Sequence, residues 1–113
     1  MVLIQLLLPA SFHDGAGHRS AAAELGETRA ELANTFDGVT AYMRSPAKGL
    51  WTSPDGDMAE DDVVMVEVVT SQFDRRWWGD YSASLAARFH QQAIHIRALA
   101  LEVLDPGAAG LHW

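Results

Sequence analysis

Two stretches of this chain are apolar at odd and even positions alike, and they limit its possible folds more than any other feature. One runs from Val2 to Leu8 and is broken only by Gln5; the other runs from Val63 to Val69 and is broken only by Glu67. Successive side chains of a strand point to opposite faces, so a run that is apolar at both parities predicts a strand with both faces covered. Pro9 stops the first run. Each is far too short to cross a bilayer as a helix.

Between and after these strands the pattern changes. Residues 13–20, His-Asp-Gly-Ala-Gly-His-Arg-Ser, are turn-forming and have no periodic apolar face, which predicts a flexible loop over about 11–20. From Ala21 an Ala- and Glu-rich run favours helix, with Leu25, Arg29, Leu32 and Phe36 on one side and Asp37-Gly38 as its C-cap. Residues 39–44 alternate and are β-prone, giving a second strand. A hairpin extension follows over about 45–61, with a Pro54-Asp55-Gly56 turn, before the apolar strand at 62–70.

Ser71-Gln72-Phe73-Asp74 reads as a capping box. The helix after it carries Trp78, Tyr81, Leu85 and Phe89 on one face and runs to about Gln91. The alternation of Ile94, Ile96, Ala98 and Ala100 favours a last strand, although its Ala/Leu/Glu end could continue as helix; 105–113 is a tail.

The order strand, helix, strand, strand, helix, strand predicts an α+β ferredoxin-like domain over 1–113, a four-stranded antiparallel sheet of order 4-1-3-2 with both helices on one face. At 113 residues one domain is the expectation. With 8 basic against 15 acidic side chains the net charge is -7, which repels a phosphate backbone, so no nucleic-acid partner is expected. The chain has no cysteine, hence no disulfide, thiolate site or Cys nucleophile. The apolar opening lacks a basic flank, which favours a cytoplasmic protein with no membrane partner over one with a cleaved signal.

If Val2, Ile4, Leu6 and Leu8 face the helices together with Val64, Val66 and Val68, the opposite face holds Leu3, Leu7, Val63, Met65 and Val69, plus Gln5 and Glu67. The last strand would add His95 and Arg97, and the second Thr40 with Tyr42 or Arg44. So much apolar area on a small domain calls for cover, most simply a homodimer packed sheet on sheet.

A carboxylate in an apolar wall needs a cation or donors, or must be protonated. Arg97, Arg44 or a ligand could serve Glu67. In one reading the polar row floors a small-molecule pocket with Glu67 or His95 as acid/base; in the other it is a satisfied polar layer at a dimer interface. Trp51 could lie over the sheet edge and join a ligand site.

His13, Asp14 and His18 can ligate, but their spacing matches no metal template, so they read as a solvated loop. The acidic run Asp55, Asp57, Glu60, Asp61 and Asp62 lacks a calcium-loop register, and no metal or other cofactor is expected. Trp77 and Trp78 cannot both point inward, so one is partly exposed.

Phe36-Asp37-Gly38-Val39-Thr40, Gly49-Leu50-Trp51, Gly56, Glu60, Tyr81 and Phe89-His90-Gln91-Gln92 together resemble a family of small bacterial domains of unknown function. Its pattern is F-x-G-x-T, then G-x-W, a Gly turn, an acidic residue and a helix ending near Y…F-x-Q, here over about 25–104. The resemblance implies a ferredoxin-like α+β fold and assigns no reaction, so it carries over no catalytic residue. Some members begin with a secretion or lipid-attachment segment, whereas this chain opens on its first strand, which agrees with a cytoplasmic location. Three functions remain open: a homodimeric binding or sensing domain for a small molecule, a dimeric α+β barrel-type enzyme acting through Glu67, His95 and Arg97, and an interaction module anchored by Trp51, Trp77 or Trp78.

Overall fold

The computed structural model describes residues 1–42 and 63–104, and of 39–42 the backbone. Arg44, Trp51, the hairpin extension at 45–61 and the tail at 105–113 lie outside the described residues. The elements are β1 (Val2–Pro9), β2 (Ser11–His13), β3 (His18–Ser20), α1 (Ala22–Thr35), β4 (Gly38–Tyr42), β5 (Val63–Thr70), α2 (Arg75–Arg88) and β6 (His95–Ala100). The fold is α+β. Four strands form an antiparallel sheet in the order β4-β5-β1-β6, and β2 pairs with β3 in a separate hairpin.

The two strands apolar at both parities, β1 and β5, are neighbours at the centre of the sheet. Their even-numbered side chains Ile4, Leu6, Leu8, Val64, Val66 and Val68 are buried in one cluster with Leu25 and Leu32 of α1 and Trp78 and Leu85 of α2. Both helices therefore cover the same face. Pro9 ends β1 from inside it, paired with Val63 where a last position can spare its N–H.

Local departures from the sequence expectations have physical causes. Residues 11–20 form the β2–β3 hairpin, not an irregular loop. Phe12 is buried, edge-on to Phe89 and stacked on His90, while Gly15 and Gly17 take positive φ angles of 91° and 143° that let the chain reverse. Arg19 lies 4.4 Å over the Phe12 ring and bonds Asp14 and Glu24, fastening the hairpin to α1. A single anchoring aromatic leaves no alternation to read.

Gly38 does not cap α1; the helix turns into extended backbone at Phe36, and Gly38 opens β4 opposite Val69. The N-cap of α2 is Asp74 and not Ser71, its carboxylate accepting from the backbone N–H groups of Arg76 and Trp77. That helix ends at Arg88. His90 follows in the left-handed region at φ 55°, and the His90 and Gln91 N–H groups reach back to the carbonyls of Ala87 and Ala86, a Schellman closure.

On α1, Arg29 is exposed and the buried position belongs to Thr28. Its hydroxyl donates to the Glu24 carbonyl at 2.8 Å and accepts from the Arg88 guanidinium at 2.8 Å, which makes a polar group tolerable there. Arg88 also grips Glu31 through two nitrogens at 2.9 and 2.7 Å, and the Tyr81 hydroxyl donates to the same carboxylate at 2.8 Å. The Arg88 hydrogen bonds, aided by the one from Tyr81, hold the Glu31 carboxyl below its usual range. Burial, then Glu31, pushes the Tyr81 hydroxyl well above the ordinary tyrosine range.

Because Glu31 is depressed, its contribution to stability is present above its unfolded value of 4.5 and is lost as pH falls through the lower folded value. Replacing Arg88 with Met is expected to cost about 1–2 kcal/mol near neutrality, discounted for the partial exposure of Glu31. It should also flatten the acid loss of stability below that pH. Urea midpoints of both proteins at neutral and acid pH test this; parallel losses would rule out the Arg88–Glu31 pair as the source.

Candidate functional site

The odd-numbered side chains of β1 and β5 form the other face of the sheet. Leu3, Leu7, Met65 and Val69 sit at its centre yet are only half-buried by the described elements, and Leu99 on the β6 edge is 46% exposed. The register turns this face into three rows across all four strands. One is Leu99, Leu3, Val69, Gly38; the next is Arg97, Gln5, Glu67, Thr40; the third is His95, Leu7, Met65, Tyr42.

The middle row is polar in an otherwise apolar surface. The Arg97 Nε donates to Gln5 Oε1 at 2.6 Å, and Gln5 Nε2 donates to Glu67 Oε2 at 2.7 Å, with Met65 Sδ 3.7 Å from the same nitrogen. A guanidinium and a carboxylate are thus joined through one amide, whose oxygen meets the cation and whose nitrogen meets the anion. The amide orientation follows from those partners. Among the described residues, Glu67 Oε1 and the terminal nitrogens of Arg97 have no hydrogen-bond partner. The row can therefore offer an acceptor and a cationic donor to a molecule lying on the sheet.

Of the residues singled out from sequence, Gln5, Glu67 and Arg97 are brought into direct contact. Thr40 is the backbone partner of Glu67 at the far end of the row, while Tyr42 and His95 pair one row away with Met65 and Leu7. Glu67 does not bond Arg97 itself; Gln5 stands between them. Trp78 is buried at 3% exposure and Trp77 is half-buried, both packed with Phe36 and Tyr81.

Sequence reasoning passed over a second feature at the end of the sheet. A cleft of about 410 Å³ lies between the β2–β3 hairpin and the start of β6, lined among others by Ser11, Phe12, His13, His18, His90 and His95. The four histidines come from the hairpin, the helix end and the edge strand, so no local spacing connects them. Asp14 turns away from this group: its carboxylate accepts from the Ala16 N–H and from Arg19, and these bonds hold it below the usual carboxylate range. Among the described residues no set of three or more His, Cys, Asp or Glu is arranged around a metal, and no helix is long and apolar enough to cross a membrane. Comparison with protein-family models, with curated proteins and with solved structures yields no match for this chain.

Proposed function

We propose that this chain is a homodimeric domain that binds or senses a small organic molecule on the open face of its sheet. The observation that carries the reading is the Arg97–Gln5–Glu67 chain of hydrogen bonds set in a half-buried apolar wall. A ligand suited to it has an apolar body for Leu3, Leu7 and Met65, an acceptor for the terminal nitrogens of Arg97, and a donor for Glu67. A second copy of the sheet closes the site from above and removes the apolar surface from water. The same reading takes the fold as ferredoxin-like with order 4-1-3-2. It keeps the resemblance to the small bacterial domains as a proposal resting on Phe36, Gly38, Tyr81 and Phe89.

One observation favours an acid/base enzyme as the second reading. His95 lies on the same face one row from Arg97 and lines the cleft, so an imidazole, a carboxylate and a guanidinium border one surface. The interaction module has less support, since Trp77 and Trp78 are committed to packing with Phe36 and Tyr81.

Light scattering combined with a thermal-shift screen of small carboxylates, amines and hydroxy acids separates these readings. A dimer is expected, with hits whose stabilisation falls at least about tenfold in apparent affinity in both Glu67→Gln and Arg97→Met. A monomer that gains no stability from any member of the screen would end the proposal. Turnover of a hit that disappears in His95→Gln would move the assignment to the enzyme.

A further inference from the structure

We infer that the β2–β3 hairpin carries a zinc-binding clamp formed by His13 and His18, separate from the sheet-face site. The two residues are cross-strand partners, the last pair before the Asp14–Gly17 reversal, so their side chains emerge on the same side of the hairpin. Their rings stand nearly perpendicular, at 83°, with centroids 4.8 Å apart. His18 Nδ1 lies 3.3 Å from His13 Nε2.

That separation suits two states of the pair. It is the reach of a long N–H···N hydrogen bond between the rings, and it is also the bite of a tetrahedral ion. Two nitrogens each about 2.0–2.1 Å from a tetrahedral ion stand about 3.3 Å apart, whereas a right-angled, square-planar bite brings them to about 2.9 Å. The spacing fits zinc bound between the rings better than it fits copper in a square plane.

The surroundings prepare His18 for that role. Its other nitrogen, Nε2, is 2.6 Å from the Ser11 hydroxyl, two residues before His13 on the same strand. In the tautomer that carries its proton on Nε2, that proton goes to the Ser11 hydroxyl and Nδ1 is left bare toward His13. Holding a ligating imidazole by its second nitrogen is how proteins fix the tautomer and orientation of metal-bound histidines. The hairpin itself is anchored by buried Phe12 and by the Arg19 bridge to α1, so the pair is presented from a fixed base.

Two protein nitrogens leave two positions of a tetrahedral ion open. Both histidines line the 410 Å³ cleft together with His90 and His95. The open positions are thus available to water or to the carboxylate of a small ligand held there, the arrangement of an accessible ion and not of a closed structural site. A hard oxygen-seeking cation such as magnesium gains nothing from two imidazoles.

Isothermal calorimetry of the untagged full chain with zinc chloride at about pH 7.5 tests the inference. One ion per chain is expected, with no heat from magnesium chloride. His13→Gln and His18→Gln should each weaken binding at least about tenfold, and Ser11→Ala about tenfold through the lost orientation of His18. Nitrogen-detected NMR should show zinc shifting His13 Nε2 and His18 Nδ1 while His18 Nε2 keeps its proton. These side chains are exposed, so the variants should match the parent by circular dichroism. Failure to bind zinc below about 0.1 mM, or equal binding by the parent and both histidine variants, overturns the clamp. Neither result bears on the Glu67 and Arg97 tests of the sheet face.

Discussion

Alanine in place of Leu6 is expected to lower the unfolding free energy by about 2–5 kcal/mol, while alanine at the adjacent Leu7 costs the isolated subunit about 1 kcal/mol or less. The two leucines are chemically identical neighbours on β1. Leu6 is fully buried at 0% exposure between the sheet and the helices, so truncation leaves a cavity lined by Val66 and the helical side chains. Leu7 points to the opposite face and is only half-buried by the described elements, so water fills the space that its side chain vacates. Urea denaturation at low protein concentration measures both costs. Equal losses would mean that both faces of β1 are closed within one subunit.

The second large effect concerns association. If the proposed dimer packs sheet on sheet, lysine in place of Leu7 is expected to raise its dissociation constant at least about a hundredfold, because the substitution enters a two-fold interface twice. Each copy forfeits roughly 1.5–3 kcal/mol of apolar burial and adds a charge that must be desolvated or moved aside. Sedimentation velocity over a range of micromolar concentrations reads the shift directly. An unchanged sedimentation profile in Leu7→Lys would place the subunit contact elsewhere and leave the sheet face to the ligand alone.

Much of this arrangement is written in side-chain parity. Gln5 and Glu67 each interrupt an apolar run at an odd position, and the same parity puts Leu3, Leu7, Met65 and Val69 beside them, so a polar pair in an apolar wall follows from alternation alone. Alternation does not reveal register. Whether Thr40 or Tyr42 completes the row depends on how β4 slides along β5, and the backbone pairing chooses Thr40 opposite Glu67. The role of Gln5 as the link between Arg97 and Glu67 was equally out of reach, since three residues spread from 5 to 97 have no common spacing.

Other features were hidden for the same reason. The hairpin of β2 and β3 is held by one buried aromatic, Phe12, too little to register as a strand pattern. The network of Thr28, Glu31, Tyr81 and Arg88 joins two helices through three polar groups that each look like ordinary surface residues and a Tyr81 hydroxyl whose partner the apolar helix face does not reveal. Arg29 falls at the spacing of Leu25, Leu32 and Phe36, yet the neighbouring Thr28 takes the buried place because a guanidinium from α2 satisfies its hydroxyl.

The position of β1 also determines when the sheet can close. β1 is made before either of its neighbours, and its bonds to Glu67 and Arg97 span 62 and 92 residues of chain. Both edges of an almost wholly apolar strand therefore stay unpaired until β5 and then β6 have been synthesised. Contacts so distant along the chain close slowly, because the entropy of the intervening loop is lost before the pairing is gained. During synthesis this leaves a sticky segment waiting for its last partner, the interval in which a chaperone or a second nascent copy meets it first.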